Sequence, residues 1–117
     1  MAQDYTLTQT GPQLQALVDA ILPPFETTIP VSGMKPNVVY SLGELAASTD
    51  FALAQATDPT IINHYYWIFD TPADISQMSF TFSNLITDWM GGSAPTISGG
   101  KHYEFSVIDG VATFMEI

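Results

Sequence analysis

The chain has 117 residues, enough for one domain that buries a core without staples, and it contains no cysteine, so disulfides and thiolate metal sites are unavailable. Two lysines and no arginine stand against twelve acids, a net charge of −10, which sets aside nucleic-acid phosphates and anionic membrane surfaces as partners. Only 12% of residues are charged while 46% are apolar, so Thr, Ser, Asn and Gln supply most of the polarity. That composition favours β-structure and stable assembly over a solvated monomer. No apolar run approaches the ~20 residues needed to span a bilayer, and Met1-Ala2-Gln3-Asp4 lacks the basic-then-apolar start of a secretory signal, so none is expected.

In chain order, Tyr5 to Thr10 reads as a short strand or arm. Thr10-Gly11-Pro12-Gln13 has the Thr and Gln of a capping box, with proline in the first helical turn, where it costs no hydrogen bond. Leu14, Leu17, Val18 and Ile21 follow at helical spacing, and Pro23-Pro24 stops the run. A short helix over residues 10–22 is therefore expected. It either docks on its own domain or uses Leu14, Leu17 and Ile21 as a two-turn oligomerisation stripe. Residues 23–36 carry four prolines and read as an extended linker, with Thr27-Thr28-Ile29 as a short edge strand.

From Asn37 the apolar period becomes two. Val38, Tyr40 and Leu42 alternate with Val39 and Ser41, and Gly43 marks a bulge. Phe51 and Leu53 share a face. Asp58-Pro59 is a turn. Ile61 to Phe69 is apolar on both sides, with Tyr65, Trp67 and Phe69 opposed to Ile62, Tyr66 and Ile68, as in a central or interfacial strand. Met78, Phe80 and Phe82 alternate with polar residues, Leu85 to Met90 reads as a further strand carrying Trp89, and Thr96 to Ser98 as a short one. The final segment is a hairpin. Asp109-Gly110 suits a type I′ turn, which sets Ile108 against Val111, Val107 against Ala112 and Phe105 against Phe114. Tyr103, Phe105, Val107, Ala112 and Phe114 form its core face. The other face carries Ile108, Val111, Met115 and Ile117 beside His102 and Glu104, too apolar for solvent, and reads as an oligomer or partner interface. Seven or eight short strands give a mainly β fold, an antiparallel β-sandwich or jelly-roll-like domain over 37–117, preceded by an arm and helix over 1–22 and a linker over 23–36.

Reaction chemistry finds little support. A hydrolase needs His64 or His102 beside both a serine and an acid, and Ser93 in Gly91-Gly92-Ser93-Ala94-Pro95 lacks the second glycine of a nucleophile elbow. Asp70 and Asp74 are two carboxylates in a loop without the spacing of a calcium-binding loop. No catalytic residue, metal site or cofactor is therefore assigned. The aromatic group Tyr65, Tyr66, Trp67 and Trp89 has two readings, core plus subunit interface, or rings exposed to stack on a glycan.

Three stretches together carry a resemblance: Tyr5-Thr6-Leu7-Thr8-Gln9-Thr10-Gly11-Pro12-Gln13-Leu14-Gln15, Asn37-Val38-Val39-Tyr40-Ser41-Leu42-Gly43-Glu44-Leu45, and Gly91 through the final hairpin with Tyr103-Glu104-Phe105-Ser106-Val107. In this order they resemble small β-modules in virion structural proteins of tailed phages and prophages of gut Bacteroidetes, of fibre and capsid-decoration type. His64 to Phe69 departs from the acidic-aromatic run of those modules. The resemblance implies a non-enzymatic structural protein, a capsid decoration, head-fibre or tail-appendage component. It implies a homo-oligomer, a trimer by analogy with phage fibres, with other virion proteins as partners and the virion, assembled in the host cytoplasm, as location. A module binding a host receptor or surface glycan is the alternative, and a small hydrolase the least favoured.

Overall fold

A computed structural model describes residues 25–56, 60 and 62–117. The expected arm and helix, with Leu14, Leu17 and Ile21, and the Asp58-Pro59 turn lie outside the described residues. Eight strands follow in order: β1 (Phe25–Glu26), β2 (Val39–Glu44), β3 (Thr49–Phe51), β4 (His64–Asp70), β5 (Phe80–Phe82), β6 (Asp88–Trp89), β7 (His102–Ile108) and β8 (Val111–Glu116). Six form one sheet in the order β1-β2-β4-β7-β8-β6, and β3 pairs with β5 in a separate two-stranded ribbon.

The fold is mainly β, but its sheet is mixed rather than antiparallel. Only β4–β7 and β7–β8 are antiparallel; β1–β2, β2–β4, β3–β5 and β6–β8 run parallel. The reason lies in the connections. Among the sheet strands only β7 and β8 are joined by a two-residue loop, with Asp109 and Gly110 both at positive φ, 53° and 78°. Parallel neighbours need a crossover, and here the β2-to-β4 crossover is itself a strand, β3, laid over one face. The hairpin register is the one that the turn demands, with Ile108 opposite Val111 and Phe105 opposite Phe114. A register shift between Ser41 and Glu44 places a bulge at Gly43.

The core lies between the sheet's inner face and the β3–β5 ribbon. Tyr40, Tyr65, Trp67, Phe69, Tyr103, Phe105, Val107 and Ala112 point into it from the sheet, all buried. From the other layer Phe51, 0% exposed, sits over Phe69 (4.8 Å between ring centroids), Trp67 (5.7 Å) and Phe105 (6.2 Å), flanked by Phe80 and Phe82. Trp67 and Phe105 stack nearly flat, 5.1 Å apart and 3° from parallel. The Trp67 indole N–H is buried without an acceptor among the described residues.

Three expectations need correction. The described part of the 23–36 segment is no linker: β1 pairs along β2, and Met34 is 0% exposed, its N–H donating to the Ala52 carbonyl and its carbonyl accepting from Ala54 N–H. Pro30 and Pro36 stand at turns, the first closed by the Gly33 N–H donating to the Pro30 carbonyl at 2.9 Å, and between them Met34 is stitched to residues 52–54. Thr96 to Ser98 forms no strand; the buried Thr71 hydroxyl holds this loop instead, donating to the Ser98 carbonyl at 2.7 Å. Phe114 faces the core side but is 40% exposed, because β6 covers β8 only at Val111 and Ala112.

Candidate functional site

The alternation that buries Tyr65, Trp67 and Phe69 turns His64, Tyr66, Ile68 and Asp70 to the opposite, outer face of the sheet. The β4–β7 register then sets Tyr66 beside Ser106, Ile68 beside Glu104 and Asp70 beside His102. On the far side Met115 lies beside Glu104, Thr113 beside Ser106, and Val111 beside Ile108. One face thus gathers side chains from three strands, with a polar centre beside an apolar margin on the β8 side.

The centre is a connected chain of hydrogen bonds. His102 Nδ1 meets Asp70 Oδ1 at 2.7 Å and its Nε2 meets Glu104 Oε2 at 3.0 Å. The other Glu104 oxygen accepts from the Tyr66 hydroxyl at 2.8 Å. Both ring nitrogens facing carboxylates favour the imidazolium, which donates from both. The Asp70 and then the Glu104 hydrogen bond raise the His102 pKa above its ordinary value. The bonds from His102 and then Tyr66 hold the Glu104 carboxyl below the usual carboxylate range, and the bond to Glu104, followed by partial desolvation, pushes the Tyr66 phenol up. A second pair, His64 Nε2 and Ser106 Oγ at 2.8 Å, stands alongside, with the His64 ring edge-on to Tyr66. Asn37 clamps the end of β4: its N–H donates to the His64 carbonyl at 2.7 Å. Beside it, Asn37, Val38, Val39, His64 and Tyr66 line an open hollow of about 380 Å³.

The parts of a triad occur here on different histidines. His64 has the serine, while His102 has the acids. The base of a Ser-His-Asp relay must contact nucleophile and acid through its two nitrogens, so neither histidine is set up for one. Asp70 is engaged by His102, and Asp74 accepts from the Ser76 N–H at 2.9 Å in a local turn, a bond that lowers its pKa. No group of three potential ligands is disposed to hold a metal among the described residues.

Of the aromatic residues considered for glycan contact, two are core. Trp67 is 0% exposed, and Tyr65 is buried with its hydroxyl donating to the Ala54 carbonyl at 2.6 Å. They are inward positions of a central strand, and no sugar ring reaches them. Trp89 is half-buried, edge-on to Phe82 at 5.0 Å; Tyr66 alone of the four lies on the outer face. The residues considered for an interface stand differently. Ile108, Val111, Met115 and Ile117 are all exposed, with Met115 at 54%. The polar chain of Asp70, His102, Glu104 and Tyr66 was not visible in the sequence; its trace there is the polar alternation of His64-Tyr66-Asp70 and His102-Glu104-Ser106, which needs the β4–β7 register before it means anything.

Comparison with known proteins found no matching family model, no matching curated protein and no matching solved structure.

Proposed function

We propose that this protein is a non-enzymatic structural module that acts by assembly, a virion component of capsid-decoration, head-fibre or tail-appendage type. One observation carries the assembly part: the exposed apolar margin Ile108, Val111, Met115 and Ile117, on the outer face of the hairpin whose inner face buries Tyr103, Phe105, Val107 and Ala112. Isolated exposed hydrophobics are ordinary, but four on one sheet face, Ile108 and Val111 at one end of the hairpin and Met115 and Ile117 at the other, favour a contact surface. The virion part rests on the resemblance of Tyr5 to Gln15, Asn37 to Leu45 and Gly91 through the final hairpin to phage β-modules.

Met115→Lys tests the assembly part. It puts a charge on the margin without touching the core, so the monomer fold should persist by circular dichroism while association by light scattering weakens at least tenfold. Unchanged association of the variant contradicts this account. Mass spectrometry of purified particles tests the virion part: the protein should be present in stoichiometric amount, and its absence from particles of its producing phage rules that part out. A second reading, a glycan- or receptor-binding module, rests on the hollow beside Tyr66 and His64. It expects glycan-array binding that Tyr66→Ala abolishes, and a blank array sets it aside.

A further inference from the structure

The β7–β8 ladder fixes which backbone groups of β8 point outward. His102 and Ile117 exchange N–H···O bonds at 3.1 and 2.9 Å. In an antiparallel pair bonded and non-bonded positions alternate, so Val111, Thr113 and Met115 also bond to β7, while Ala112, Phe114 and Glu116 present their N–H and C=O groups to the other side. The Ala112 carbonyl is taken by Met90 N–H at 2.9 Å, and β6 pairs only with Val111 and Ala112. Beyond that point Phe114 and Glu116 offer two N–H and two C=O groups with no partner among the described residues.

Exposed edges of this kind are normally blunted by a lysine, a proline, a bulge or an inward-pointing charge. Phe114–Glu116 has no lysine, proline or bulge. Its one charged side chain, Glu116, turns to the core side and accepts from the Tyr103 hydroxyl. Phe114, Met115 and Ile117 around it are exposed and apolar.

We infer that this edge pairs with β8 of a second copy, antiparallel across a two-fold axis at Met115, joining the two sheets. The inference rests on the assembly reading and specifies its contact. Two facts select a second copy. The chain carries a net charge of −10, so copies repel over most of their surface, and the outer-face acids Asp70 and Glu104 lie one or two strands in from this edge. Within Phe114–Glu116 the one carboxylate, Glu116, lies on the core-side face and accepts from the Tyr103 hydroxyl. The edge is also self-complementary in one register. Phe114 opposite the partner's Glu116, and the converse, uses all four open groups of each copy. Centring on Phe114 would require the occupied Ala112 groups, and centring on Glu116 would set two carboxylates face to face. A two-fold contact is isologous and closes as a pair, in place of the three-fold closure expected from phage fibres.

The absence of cysteine makes the test direct. Met115 faces itself across the axis as a non-hydrogen-bonded pair, about 4.5 Å between Cα atoms, within the disulfide range. Thr113 lies two residues from the axis in each copy, roughly 13 Å from its mate. Under mild oxidation Met115→Cys should give a covalent dimer in high yield and Thr113→Cys should not. Phe114→Pro removes an outward N–H together with the ring that stacks on Phe105 and leaves the β7–β8 bonds intact; with Phe114→Ala as the control for loss of the ring, it should abolish association while Phe114→Ala retains it. If the chain associates but Met115→Cys fails to crosslink, crosslinks no better than Thr113→Cys, or Phe114→Pro leaves association unchanged, the edge contact is wrong while assembly stands. If the chain is monomeric at every concentration, both are wrong.

Discussion

Phe51→Ala should be among the most damaging single substitutions in the molecule. The ring is 0% exposed and packs against Trp67, Phe69, Phe80, Phe82 and Phe105, so it is the main contact between the ribbon and the sheet. Removing a buried phenylalanine costs about 3–5 kcal/mol, combining lost transfer energy with the cavity left among stiff rings. A domain of this size has about 5–15 kcal/mol in total, and the loss corresponds to a fall in Tm of roughly 10–25 °C. Phe114→Ala is the matched control. Phe114 also stacks on Phe105, at 5.8 Å, but is 40% exposed and opens to solvent, so its deletion leaves no closed cavity and costs about 1–2 kcal/mol. Urea unfolding at low protein concentration, where association adds nothing, measures both. Equal losses for the two variants, with unchanged m-values, would refute the assignment of the core to the space between ribbon and sheet.

Stability should also depend on pH through the outer-face network. A histidine raised above 6.5 stabilises fully below that pH and loses its contribution as pH rises through its folded value. A glutamate lowered below 4.5 contributes fully above that pH and loses it as pH falls through its folded value. The network is therefore complete between pH 4.5 and 6.5, and the Tm difference between the parent chain and His102→Ala should be largest there and shrink on either side; a difference that does not vary with pH contradicts the network. Gly33→Ala should destabilise by about 1–3 kcal/mol. Gly33 has φ +97°, and an added Cβ would lie 2.7 Å from Ala54 N, against the segment that stitches Met34 into the core. A neutral result in thermal melts would mean that this stitch is not made.

The elements read best from sequence were those whose information is local. Asp109-Gly110 sets the hairpin register within two residues, and the two-sided apolar run through Trp67 marks β4 as central, which it is, between β2 and β7. What was misread depends on distant partners. Whether β2 runs parallel or antiparallel to β4 is decided by a crossover through β3, and no residue in either strand encodes it. Met34 sits among prolines that suggest a linker; only its bonds to Ala52 and Ala54 show otherwise. Phe114 alternates with the core residues and still meets solvent, because the length of β6, not the pattern of β8, determines what is covered. The Asp70–His102–Glu104–Tyr66 chain joins residues up to 38 positions apart and exists only once the β4–β7 register is known.

The central claim is that this chain associates with itself, and the most direct test is its mass in solution. Light scattering of the full chain over a range of concentrations should show a reversible rise from 12.7 kDa to twice that value, with Phe114→Pro remaining at the lower mass. A mass that stays at 12.7 kDa up to high micromolar concentration contradicts the claim.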